Sequence, residues 1–89
     1  MSSLLILLDK NSSCIKRDFR VLASSEDYVL LGSGKSFSCF VTILRRSRNC
    51  YSVICYLLRN DVCTFYRSYK SIKDLCNYLD ILSSMLVYK

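Results

Sequence analysis

The chain has only two glycines, Gly32 and Gly34, and both fall in the window Gly32-Ser33-Gly34-Lys35-Ser36. Backbone N–H groups beside glycine, with a lysine ammonium and serine hydroxyls, make a nest that holds an anion. The plainer alternative is a tight turn carrying one exposed lysine. Gly34-Lys35-Ser36 after a strand-like run is similar to the end of a nucleotide P-loop. The full pattern needs a glycine five residues before Gly34, and Val29 stands there. A strand-like segment, not a helix, follows. These departures exclude nucleotide hydrolysis but leave the anion nest.

Other chemistry is thinly represented. The chain has no histidine, the usual general base, and its seven carboxylates are scattered except for the neighbours Glu26-Asp27. The six cysteines contain no C-x-x-C pair, so the common structural zinc patterns are absent and no metal is expected. Most lie in apolar segments and read as reduced core thiols of a cytoplasmic protein. Cys14, near a helix start and beside Lys16 and Arg17, is the one cysteine placed for a lowered pKa; a core role is the preferred reading. No catalytic residue, cofactor or small-molecule substrate is expected.

One domain spanning residues 1–89 must position these groups. At this size about 60–65% of the unfolded surface is buried, so the stability margin is thin. The apolar fraction of 52% suffices for one core. The run Leu4–Leu8 lacks the flanks of an export signal, and no apolar stretch reaches membrane-spanning length.

Ser12 and Ser13 are good caps, and Ile15, Phe19 and Leu22 follow at helical spacing, predicting a helix from Cys14 to Ala23. Tyr28 to Leu31 has strand length. Phe37 to Leu44 carries bulk on both alternating faces, which predicts a central strand covered on both sides. Arg45-Arg46-Ser47-Arg48-Asn49 turns the chain into a strand from Cys50 to Leu58. Arg59-Asn60-Asp61 turns it again, and Val62 to Arg67 forms a shorter strand. Ser71 and Asp74 have capping-box spacing ahead of the stripe Ile72, Leu75, Cys76 and Leu79, which continues through Leu82. The expected fold class is α+β: a central antiparallel sheet of three to four strands in a meander, flanked by two helices.

This order resembles the Src homology 2 domain over roughly residues 15–79. Ile15-Lys16-Arg17-Asp18 looks like the start of the family's first helix, where an arginine reaches phosphate. Tyr28-Val29-Leu30-Leu31-Gly32-Ser33 is similar to its F-L-V-R-x-S strand, and Cys50-Tyr51-Ser52-Val53 to its H-Y-x-I strand. The segment from Tyr69 to Leu79 resembles F-x-S-L-x-x-L-x-x-Y-Y and is the most specific match. The resemblance implies an anion site made of Arg17, Ser33, Gly34, Lys35, Ser36 and Ser52. Leu31 stands where the family places its phosphate-forking arginine, and leucine cannot make that bidentate contact. A rival register matches Thr42-Ile43-Leu44-Arg45-Arg46-Ser47 to the same motif and keeps the arginine as Arg45. It leaves few residues for the strands that follow.

The resemblance implies a non-catalytic protein-interaction module, an adaptor in signalling. Its partner would be a phosphorylated or acidic peptide held weakly, or a protein bound without phosphate. A viral antagonist of host signalling on such a scaffold is a further form of this reading. The net charge of +6 favours an acidic partner in every case. The alternative is a small basic nucleic-acid binder using Arg45, Arg46 and Arg48 with nearby Tyr51, since cations beside stacking aromatics suit single strands.

Overall fold

A computed structural model describes residues 3–33, 39–57 and 62–87. Two short helices, α1 (Ser3–Asn11) and α2 (Cys14–Asp18), precede five strands. These are β1 (Phe19–Ser25), β2 (Tyr28–Ser33), β3 (Cys39–Ser47), β4 (Cys50–Leu57) and β5 (Val62–Tyr69), and helix α3 (Ile72–Val87) follows. The strands form one antiparallel meander in the order β1-β2-β3-β4-β5. The fold class is therefore α+β, with more elements than the sequence patterns predict.

Two segments account for the difference. The apolar run at the N-terminus is helix α1, whose Leu4 and Leu8, one helical turn apart, are fully buried. The helix expected from Cys14 to Ala23 stops at Asp18, and Phe19 turns extended (φ −123°, ψ 156°). From there the chain pairs with β2, Phe19 opposite Ser33 and Val21 opposite Leu31. Pairing satisfies the backbone of β1 and buries Phe19, which outweighs the helical spacing of Ile15, Phe19 and Leu22. Helix α3 begins as expected: the Ser71 hydroxyl accepts a hydrogen bond from the Asp74 N–H at 3.1 Å. It runs to Val87, five residues beyond Leu82.

Val29, Leu31, Cys39, Val41, Ile43, Tyr51, Val53 and Cys55 all lie on one face of the sheet, and all are buried. They meet Leu4, Leu8, Cys14, Ile15, Leu75, Cys76 and Leu79 of the helices in a single core. Each fully buried leucine there contributes about 1.5–3 kcal/mol. The helices touch one another as well as the sheet, so all three cover this same face. The Ser12 hydroxyl donates to Asp80 at 2.9 Å, and the Ser83 hydroxyl donates to Asp18, tying α3 to the α1–α2 link and to α2.

The opposite face carries Leu30, Phe40, Thr42, Leu44, Ile54, Tyr56 and Tyr66, and no described helix packs on it. The expectation that β3 is covered on both sides is corrected here. Its residues alternate buried and half-buried, because every helix has gone to one side.

Candidate functional site

The implied anion site has six members, of which Arg17, Ser33 and Ser52 are described; Arg17 is two residues from Phe19, which faces Ser33, and Ser52 lies apart from both. Arg17 sits on α2 with a largely exposed side chain, and its guanidinium donates to Asp18 at 3.0 and 2.9 Å. That pairing holds the Arg17 pKa up, and it holds the Asp18 carboxyl below its usual value, helped by the Ser83 hydroxyl. Ser33 ends β2, opposite Cys39. Ser52 pairs with Leu44, five positions further along β3 and about 16 Å away. It is fully buried on the helix-free side of the sheet, and its hydroxyl has no partner among the described residues. Gly34, Lys35 and Ser36 lie outside the described residues. Leu31, at the position of the family's arginine, is a core residue with no exposed surface.

The arginine of the rival register is better placed but already engaged. Arg45 Nε donates to Asp27 at 2.8 Å, and its Nη2 lies 2.7 Å from the same carboxylate. The Nη2 group also donates to the Ser3 hydroxyl at 2.7 Å. Its backbone N–H donates to the Asp27 carbonyl at 2.9 Å. Arg45 thus joins the start of α1, the β1–β2 turn and β3. Its first duty is structural.

Around it the β3–β4 hairpin builds a shallow cleft of about 510 Å³, lined by Leu7, Asp27, Arg45, Arg46, Ser47, Arg48 and Tyr51. Three guanidinium groups face one carboxylate there, and Arg45 neutralises that carboxylate. Arg46 and Arg48 are exposed and have no ion pair among the described residues. Tyr51 is 5% exposed, so it walls the cleft rather than offering a ring to a ligand. The cleft can receive an anion through Arg46, Arg48 and the Ser47 hydroxyl.

The aromatic groups that can meet a ligand lie elsewhere, on the helix-free face. Tyr56 is 44% exposed and Tyr66 56% exposed, whereas Phe40 is half-buried. Phe40 pairs directly with Tyr56 across β3 and β4. Tyr66 pairs with Ile54 on β4, one diagonal step from Tyr56. The three rings thus form an oblique row across three strands, with neighbours close enough to act together. Of the five strand tyrosines, Tyr51 is buried, Tyr28 and Tyr69 are half-buried, and Tyr56 and Tyr66 are exposed. Tyr69 and Tyr78 do stack on the helix side, with ring centroids 6.0 Å apart.

One further signal was present in the sequence. The five strands contain Arg20, Arg45, Arg46 and Arg67 and no aspartate or glutamate. Every described carboxylate lies on a helix or in the Glu26-Asp27 turn.

Among the described residues, no cysteine is placed as an activated nucleophile. The five described cysteines are thiols outside any disulfide, four of them buried. Burial pushes Cys14 and Cys76 up to about 11. The Cys39 thiol, 3.5 Å from Cys55, is raised further by that contact and by burial. Cys14 is therefore a protonated core residue at neutral pH, not an activated thiolate. Among the described residues no helix is long and apolar enough to cross a membrane. Comparison with known proteins finds no matching family model, no matching curated protein and no matching solved structure.

Proposed function

We propose that this chain is a non-catalytic binding module for nucleic acid, holding phosphates at the β3–β4 hairpin. The observation that carries the reading is the cleft in which Arg46 and Arg48, without an ion pair among the described residues, stand beside an already neutralised Asp27. A polyanion gains there without having to displace an internal ion pair. The net charge of +6 draws it in from a distance. No carboxylate in any strand opposes its approach along the sheet.

The test is a fluorescence-anisotropy titration with a labelled oligothymidylate across a series of salt concentrations. Affinity should fall steeply with salt, as release of counterions from the phosphates requires. Replacing Arg46 and Arg48 with glutamine should flatten the log–log slope by about 1.4, or about 0.7 for each phosphate no longer neutralised. Absence of oligonucleotide binding at low salt overturns the reading.

A second reading keeps the protein-interaction module that the Src homology 2 resemblance implies, in its phosphate-independent form. The half-buried aliphatic centre of the helix-free face, Leu30, Leu44 and Ile54, favours it, because exposed apolar patches mark protein contacts. Support for phosphotyrosine recognition is weaker, since Leu31 is buried and Ser52 lies far from Ser33.

A further inference from the structure

The hairpin explains attraction to phosphate but not which form of nucleic acid is held. From the helix-free face we infer that the ligand is single-stranded, with its bases stacked on Phe40, Tyr56 and Tyr66. This rests on the nucleic-acid reading above and narrows it.

Three observations converge. A five-stranded antiparallel sheet gives one face to its helices and leaves the other without a described partner. Among the described strand residues the two most exposed aromatic side chains, Tyr56 and Tyr66, stand on that open face, with Phe40 directly beside Tyr56. The face is also selective in charge. Arg20 pairs with Gly32 at one margin, Arg46 is the last residue but one of β3 at another, and no strand carries a carboxylate.

Bases of a duplex are stacked on one another, and their faces are not available to side chains. Unpaired bases expose those faces and stack on aromatic rings, whatever the sequence. From Phe40 to Arg46 is six positions of β3, about 20 Å of strand. The cleft opens beside Leu7, Arg45 and Tyr51 on the helix side, so one short ligand with its bases on the aromatic row reaches it with its phosphates by passing round the hairpin end at Arg46.

The same charges argue against a second copy as the occupant. Two copies meeting through this face would bring cation-bearing, carboxylate-free surfaces together, without the opposite charge that complementary interfaces use.

The experiment compares oligothymidylate with a duplex of equal length at fixed salt, using the wild-type chain and two double variants. Tyr56→Leu/Tyr66→Leu removes the stacking rings and keeps apolar bulk. Tyr56→Phe/Tyr66→Phe keeps the rings. Both sites are exposed, and circular dichroism checks that each variant folds. The expected result is tighter binding of the single strand than of the duplex. The leucine variant should lose about 10- to 100-fold in single-strand affinity with an unchanged salt slope, and the phenylalanine variant should stay near wild type. Equal, salt-dependent binding of both nucleic acids that the leucine variant retains overturns the stacking platform and leaves the hairpin reading standing. Such indifference to leucine is also what a face built for a protein partner predicts. A concentration-dependent dimer abolished by the leucine variant likewise overturns the proposal. Absence of binding to either nucleic acid overturns this inference together with the hairpin reading.

Discussion

The two faces of the sheet are built from the same five strands and differ in what they meet. The helix side holds Val29, Leu31, Val41, Ile43 and Val53 at zero exposure against α1, α2 and α3. The open side holds an equally apolar set, with Leu30, Thr42, Leu44 and Ile54 half-buried and Tyr56 and Tyr66 exposed. Apolar content alone therefore does not separate the covered face from the open one in this chain. What separates them is where the helices go, and that is decided by the amphipathic stripes of α1 and α3 and by the contacts Ser12–Asp80 and Ser83–Asp18. One face is packed against the helices, and the other carries no described helix.

Substitution on the covered side should have the largest effects. Leu31→Arg restores the arginine that the family resemblance asks for, but in a site with no exposed surface. An unpaired buried charge costs several kcal/mol, enough to unfold a chain this small, so circular dichroism should show loss of structure. A folded Leu31→Arg chain that gains phosphotyrosine affinity would show that this face is not the core. Leu79→Ala should cost about 2–5 kcal/mol in urea unfolding.

The pH dependence also separates the faces, because the shifted groups all lie on the helix side. Cys14 and Cys76 are raised from 9.0 to about 11 by burial. The folded state keeps its protons where the unfolded chain has lost them. This contribution is complete below pH 9 and disappears as pH rises through about 11, so the thermal midpoint should fall across that window. Cys14→Ala/Cys76→Ala should flatten the fall. Asp18 acts in the opposite sense: its pKa is lowered chiefly by Arg17, then by Ser83. Its contribution is present above the ordinary carboxylate value and fades as pH drops through the lowered one.

The open side should respond least in stability. Ser52→Ala removes a buried hydroxyl that has no partner among the described residues and should leave stability unchanged or raise it by up to about 1 kcal/mol. Tyr56→Leu/Tyr66→Leu should shift unfolding by about 0.5 kcal/mol or less, as surface substitutions do. A loss of several kcal/mol there would show that the tyrosines belong to a packed core and contradict the division of the faces.

Much of the fold was legible in residue patterns. The strands after Tyr28, the meander and the Ser71–Asp74 cap follow from alternation and capping chemistry. Strand β1 was not legible, because Ile15, Phe19 and Leu22 fit helical spacing and only pairing with β2 decides otherwise. The site was less legible still. Both registers of β3, Cys39-Val41-Ile43 and Phe40-Thr42-Leu44, are apolar, so periodicity cannot say which one the helices cover. The basic hairpin Arg45-Arg46-Ser47-Arg48 was visible, but Tyr51, its apparent aromatic companion, faces the core. Among the described residues the exposed rings are Tyr56 and Tyr66, and only the strand register places them on the face away from the helices.

The most direct measurement is a solution NMR titration of the chain with a short oligothymidylate, following the aromatic ring resonances. Rings of Phe40, Tyr56 and Tyr66 should move under the ring currents of stacked bases, while those of Tyr51, Tyr69 and Tyr78 stay in place. Changes confined to the helix-side rings, or none at ligand excess and low salt, would contradict the assignment of the open face as the binding surface.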